Sequence, residues 1–238
     1  MSHNMPTLDT FLDKEPAPCQ TRLLEMYCHF VNVKDLDTLV KLNISAFSGS
    51  PFDETDAVFR ERNADFIEKN SKSFQFIRNP FTNTDLPWRS LLRGDEVPDD
   101  PHRSIRPIIG YTCMLPITKN ALSLYKDGRI RDTEFRKDQV ASCAEETAAV
   151  LAFAIHLKNE YSRDNGAPDR YTRFFLAAII FHIWQIYRCD IMRKNRPPLL
   201  AQTHKAGLAR KLTKDHGFHT LGIKTRDKCP LFELRSGN

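Results

Sequence analysis

Residues 150–188 read VLAFAIHLKNEYSRDNGAPDRYTRFFLAAIIFHIWQIYR, and three parts follow one another in them. Val150 to Leu157 is a continuous apolar run, as expected of a central strand buried on both faces, although its alanines leave a helix open. RDNGAP at 163–168 breaks the run. From about Asp169 the apolar residues continue for too long to be a strand, and Pro168 stands near the start, where its fixed φ suits a helix. The order is strand, turn, helix. Such a junction offers an anion the unpaired N–H groups of a helical first turn and the positive end of its dipole. Gly166 would let the backbone come close to a phosphate, and it is the only glycine between residues 129 and 206.

Upstream, the run from Arg22 to Val33, with LLEMYCHFVNV, has a composition suited to a strand. KDLDTLVKLNISAF at 34–47 repeats Leu36, Leu39, Val40 and Ile44 at helical spacing. After the break at Gly49, Ser50 and Pro51, AVFRERNADFIEKN predicts a surface helix ending near Asn70, and SFQFIRN a short strand. Residues 79–107 carry five prolines and a cluster of acids, which marks a long inserted loop. RPIIGYTCMLPIT is a strand containing Gly110, and NALSLYKDG a short helix. Downstream, PPLLAQT reads as a strand, HKAGLARKLTKDHGF as a helix ending at Gly217, and HTLGIKT with CPLFELR as two final strands. Residues 1–20 are polar and proline-punctuated and read as a tail, which leaves 21–238 as one α/β domain.

The chain of 238 residues is 41% hydrophobic, too apolar for general disorder. Its net charge of +5 is unevenly distributed: residues 1–162 hold 20 Lys+Arg against 24 Asp+Glu, and residues 163–238 hold 15 against 6. A net +9 in the C-terminal third points to an anionic partner. No aromatic-interleaved basic stripe accompanies it, which argues against nucleic acid. The six cysteines are scattered without a CxxC pair, so free thiols are expected. The N-terminus MSHNMPTLDTFLDKEP has no apolar h-region, and the run Phe174 to Tyr187 is too short to span a bilayer. A cytoplasmic protein away from membranes is the expectation. His156 and His182, inside apolar runs, read as core histidines. His204, His216 and His219 lack the partners of a zinc site, so no metal is expected.

The C-terminal succession, with a helix ending at Gly217-Phe218 and packing through Ala206, Leu208, Ala209 and Leu212 before a final hairpin, resembles the GNAT superfamily of N-acyltransferases. RPIIGYTCMLPIT is similar to the family's middle strands. RDNGAP is similar to its pyrophosphate loop through Arg163 and Gly166, with Pro168 where a small residue is usual. The resemblance implies a mixed, mostly antiparallel central sheet flanked by helices, with 79–107 inserted. It also implies an acyl-CoA, acetyl-CoA or another, wedged where two central strands splay apart. Pantetheine would pair with Phe153, Ala154, Ile155, His156 and Leu157, and pyrophosphate would sit on Arg163, Asp164, Asn165, Gly166, Ala167 and Arg170, with Arg173 close by. A direct attack by an amine-bearing small molecule or protein is implied, with Glu145 or Glu146 as base and a backbone N–H among Phe153 to Ile155 as oxyanion donor. The acid position holds Thr213, so Tyr171 or His216 would replace it. A homodimer fits the same family. A catalytically degenerate binding or regulatory protein, and an acyl-homoserine-lactone synthase-like enzyme, are the alternative readings.

Overall fold

A computed structural model describes residue 12, residues 18–47, 55–81, 100–203, residue 213, and residues 217–226 and 228–235. Its elements are α1 (Pro18–Tyr27), β1 (Cys28–Phe30), α2 (Leu36–Phe47), α3 (Asp56–Lys69), β2 (Phe74–Arg78), β3 (Ile108–Ile117), α4 (Lys119–Lys126), β4 (Ala149–Leu157), α5 (Asp169–Tyr187), α6 (Asp190–Asn195), β5 (Leu199–Gln202), β6 (His219–Lys224) and β7 (Pro230–Leu234). The seven strands form one sheet in the order β1-β2-β3-β4-β5-β7-β6. Among the described residues only β4 and β5 run parallel; the other neighbours are antiparallel.

One face of the sheet buries Leu36, Leu39 and Val40 of α2, Phe59, Phe66 and Ile67 of α3, and Ala121 and Tyr125 of α4. The opposite face buries Leu23, Leu24 and Tyr27 of α1 and Phe174, Phe175, Ala178 and Phe181 of α5, then Ile183, Ile186 and Tyr187 further along α5. β4 is thus covered on both faces, which explains its unbroken apolar run.

The strand expected over 22–33 is mostly helix. Leu23, Leu24 and Tyr27 are buried while Arg22 and Glu25 are exposed, a helical period that outweighs the β-prone composition. Only Cys28 to Phe30 enter the sheet, against Ile77, Phe76 and Gln75. α1 also starts at Pro18, inside the segment read as a tail. The helix expected over 204–218 lies outside the described residues, apart from Thr213, which is helical, and Gly217 and Phe218.

The described residues on either side of 82–99 are tied to one another and to α1. The N–H of Asn79 donates to the Pro107 carbonyl (2.9 Å). Asp100 accepts the Tyr27 hydroxyl (2.8 Å) and the Arg106 Nε (3.0 Å), and the Arg78 guanidinium donates to the Arg106 carbonyl (2.7 Å). Residues 82–99 lie outside the described residues. Gly110 on β3 is required by close approach: a Cβ there would stand 2.3 Å from the His156 carbonyl oxygen and 2.8 Å from the Phe175 ring.

Candidate active site

The site follows from the register of β4. On one side it pairs with β3 along its whole length. On the other it meets β5 only through Val150↔Leu199, Leu151↔Leu200 and Ala152↔Ala201. β5 then ends at Gln202 while β4 runs on to Leu157, so the edge of residues 153–157 meets no strand among the described residues. Pairing with β3 jumps from Met114↔Ala152 to Cys113↔Ala154, which makes Phe153 the extra residue of a β-bulge where the strands part.

The bulge changes which side chains face which layer. Leu151, Phe153 and Ala154 belong with the α2, α3 and α4 core, while Val150 and Ala152 belong with the α5 side. Beyond it, His156 tilts against Tyr111 (centroids 5.9 Å), whose hydroxyl donates to Asn43, and Leu157 packs with α5. Ile155 is 43% exposed. The Lys158 N–H donates to the Ile109 carbonyl across β3. Strand alternation therefore directs the amides of His156 and Ala154 towards β3 and leaves those of Ile155 and Leu157 on the open edge.

Past β4, Arg163–Asn165 form one 3₁₀ turn capped by Gly166 in the left-handed region (φ 83°), with nothing within 4 Å of where its Cβ would stand. The N–H groups of Asn165, Gly166 and Ala167 donate to the Ser162, Arg163 and Ser162 carbonyls, and Asp164 N–H to the Ser162 hydroxyl. The loop thus uses its own amides. What it offers outward is Arg163 and Arg173, which share Asp169 at 3.9 and 2.6 Å. Arg170 turns elsewhere: its guanidinium lies over the rings of Phe81 (5.2 Å) and Tyr171 (5.5 Å).

The expected acid and base are held at opposite ends of β4. Glu145 and Glu146 occupy an exposed turn before Ala149, and Ala149 is itself about 13 Å from Phe153 at roughly 3.3 Å per residue. The Ser142 N–H and hydroxyl (3.0 and 2.8 Å) hold the Glu146 carboxyl below the usual carboxylate range. Tyr171 lies at the start of α5, edge-on to Phe81 and tilted against Tyr161, each at 5.0 Å. His216 lies outside the described residues. His182 is a core residue: its Nε2 donates to the Lys72 carbonyl and its Nδ1 accepts from the Thr112 hydroxyl, both at 2.7 Å. Burial lowers its pKa to about 4.

Sequence reasoning missed the polar group at the parting point. Gln202 ends β5, and its amide nitrogen donates to Asp132, which is 5% exposed and also accepts the Tyr125 hydroxyl (2.9 Å). Ala201 pairs with Ala152, so Gln202 is the first β5 residue beyond the last β4–β5 pair. The Phe153 ring packs edge-on against Phe66 and Phe135 (6.0 Å each), with the Arg62 guanidinium 5.4 Å above it. Arg62 and Phe135 also line a cleft of about 780 Å³ between α3 and residues 133–138. A polar residue after PPLLA was visible in sequence; its buried carboxylate partner, one acid among many in RIRDTEFRKD, carried no signal.

The mostly antiparallel seven-stranded sheet flanked by helices, with its parallel pair parting beside a bulge and a turn and helix after β4, is the mixed α/β arrangement that the resemblance implies. Among solved structures the chain is similar to the GNAT-like decarboxylase GphF in complex with isobutyryl-CoA. The identity is 12%, 87% of this chain and 98% of that one are covered, and the TM-score is 0.45. It is also similar to the PaiA N-acetyltransferase from Thermoplasma acidophilum in complex with coenzyme A. There the identity is 11%, the coverage 88% and 98%, and the TM-score 0.43. No protein-family model and no curated protein matches the sequence. No described helix is long and apolar enough to cross a membrane.

Proposed function

We propose that the protein binds an acyl-CoA along the open edge of β4 and transfers its acyl group to an amine. The observation that carries this reading is the end of β4–β5 pairing at Ala152↔Ala201, which leaves the Ile155 and Leu157 backbone on an edge with no strand beside it among the described residues. Pantetheine amides complete that edge as a strand would. The phosphates lie beyond Leu157, against Arg163, Arg173 and the first turn of α5, where guanidinium groups and the helix dipole favour them. The thioester then lies at the point where the strands part. There the amine nitrogen attacks the carbonyl carbon, the C–N bond forms, and the oxyanion is received by a backbone N–H, with Ile155 the outward donor. As the C–S bond breaks, the ammonium proton leaves through water and the thiolate takes up a proton. Glu146 is a poor base for this step, because Ser142 already occupies its carboxylate.

Calorimetric titration with acetyl-CoA and longer acyl-CoAs tests the binding. Saturable binding is expected, weakened at least tenfold by Gly166→Trp, whose side chain would enter the open space above the turn. Failure to bind any acyl-CoA overturns the reading. The engaged Glu146 and the distance of Glu145 and Tyr171 from the bulge favour one second reading, a binding module without turnover. Thiol release across an amine panel separates the two: acyl-CoA binding without thiol release identifies the module.

A further inference from the structure

We infer that Gln202 is the residue that receives the acyl acceptor's amine, through its side-chain carbonyl oxygen. The inference rests on the proposed function, in that the thioester is taken to lie where β4 and β5 part.

Orientation comes first. A carboxylate only accepts hydrogen bonds, so the Gln202 amide must turn its nitrogen to Asp132. Tyr125 holds the other Asp132 oxygen and fixes the carboxylate from behind. The Gln202 Oε1 is therefore directed away from Asp132. It is buried and has no donor among the described residues. A buried carbonyl without a donor is costly, and such atoms are rare in folded chains. The same network makes the oxygen a better acceptor, because the carboxylate polarises the amide through its N–H.

Position comes second. Gln202 and the bulge residue Phe153 are the first residues beyond the last β4–β5 pair, at the apex of the gap. The phosphate-facing turn lies past the other end of the open edge, so the far, reactive end of a molecule lying along β4 reaches the apex. The Phe153 ring belongs to the α2, α3 and α4 side, and Asp132 is bonded to Tyr125, which is buried in that same core. The cleft between α3 and residues 133–138 opens on that side, and its Arg62 and Phe135 touch Phe153. The acceptor would enter from this side of the sheet. The ligand class is a primary amine, whose N–H is held by Oε1 while its nitrogen faces the carbonyl carbon. Gln202 takes no proton, and Asp132 and Tyr125 act as positioning residues.

The test follows the side-chain amide resonances of Gln202 in ¹⁵N-labelled wild-type protein, assigned through bonds and checked against Gln202→Met. n-Butylammonium chloride is titrated into the protein, with and without coenzyme A, and n-butanol is the matched control. A saturable shift of the Gln202 resonances with butylammonium and not with butanol is expected. No shift with butylammonium, with or without coenzyme A bound, or an equal shift with butanol overturns the assignment. The backbone resonances of Ile155 and Leu157 report the coenzyme separately. Their silence towards coenzyme A would sink the proposed function, while the butylammonium arm still reads Gln202.

Discussion

At Gly110 one added methyl group would have to displace the His156 carbonyl or the Phe175 ring. Gly110→Ala is expected to lower stability by about 1–3 kcal/mol, as overpacking does, read from chemical denaturation midpoints. His182 shows a different residue-scale effect. Its pKa falls from 6.5 to about 4 on folding, so the unfolded chain binds the extra proton between those values. The neutral ring's stabilisation is whole above pH 6.5 and is lost as pH falls towards 4. Up to ~3 kcal/mol is involved at 1.36 kcal/mol per unit. Urea titrations from pH 7 to 4 should show that loss, and His182→Gln should flatten it, leaving a smaller slope from His29, which burial shifts the same way.

Among the elements, Asp100 ties the residues before β3 to α1. Burial opposes the charge on Asp100, yet hydrogen bonds from Arg106, Tyr27 and the His102 N–H keep its carboxyl below the usual range. Phe81, shortly after β2, packs on Tyr171 and Phe174 of α5. Asp100→Ala should cost about 1–3 kcal/mol through the orphaned partners, read from chemical denaturation midpoints. Strand and helix types here were legible where one period ruled: α2, α3, β3 and α5 stand close to where their apolar spacing placed them. α1 was misread because its β-prone residues conceal a helical period whose buried face becomes visible only beside α5. The strand through Phe153 to Leu157 was legible as an apolar run. The bulge and the Gln202–Asp132 pair were not, because both arise from pairings between segments far apart in sequence, and no local pattern records such register.

For the whole molecule, the −4 and +9 portions of the chain meet at the turn after β4. If the excess charge serves a phosphate-bearing ligand, acyl-CoA affinity should fall as salt rises, through screening of Arg163 and Arg173, both largely exposed. Arg163→Ala should weaken binding and reduce that salt dependence together, measured by calorimetry at two ionic strengths; an unchanged salt slope would separate the charge from the ligand. The bulge has a consequence of another kind. Because β4 carries one residue more than β3 there, the surplus can be excised: removing Ala154 sets Phe153 opposite Cys113 and keeps Ile155 opposite Thr112. The shortened chain keeps its registration on both sides of the cut, so a deletion, usually the most disruptive of changes to a central strand, becomes a subtractive probe of what one irregular residue contributes.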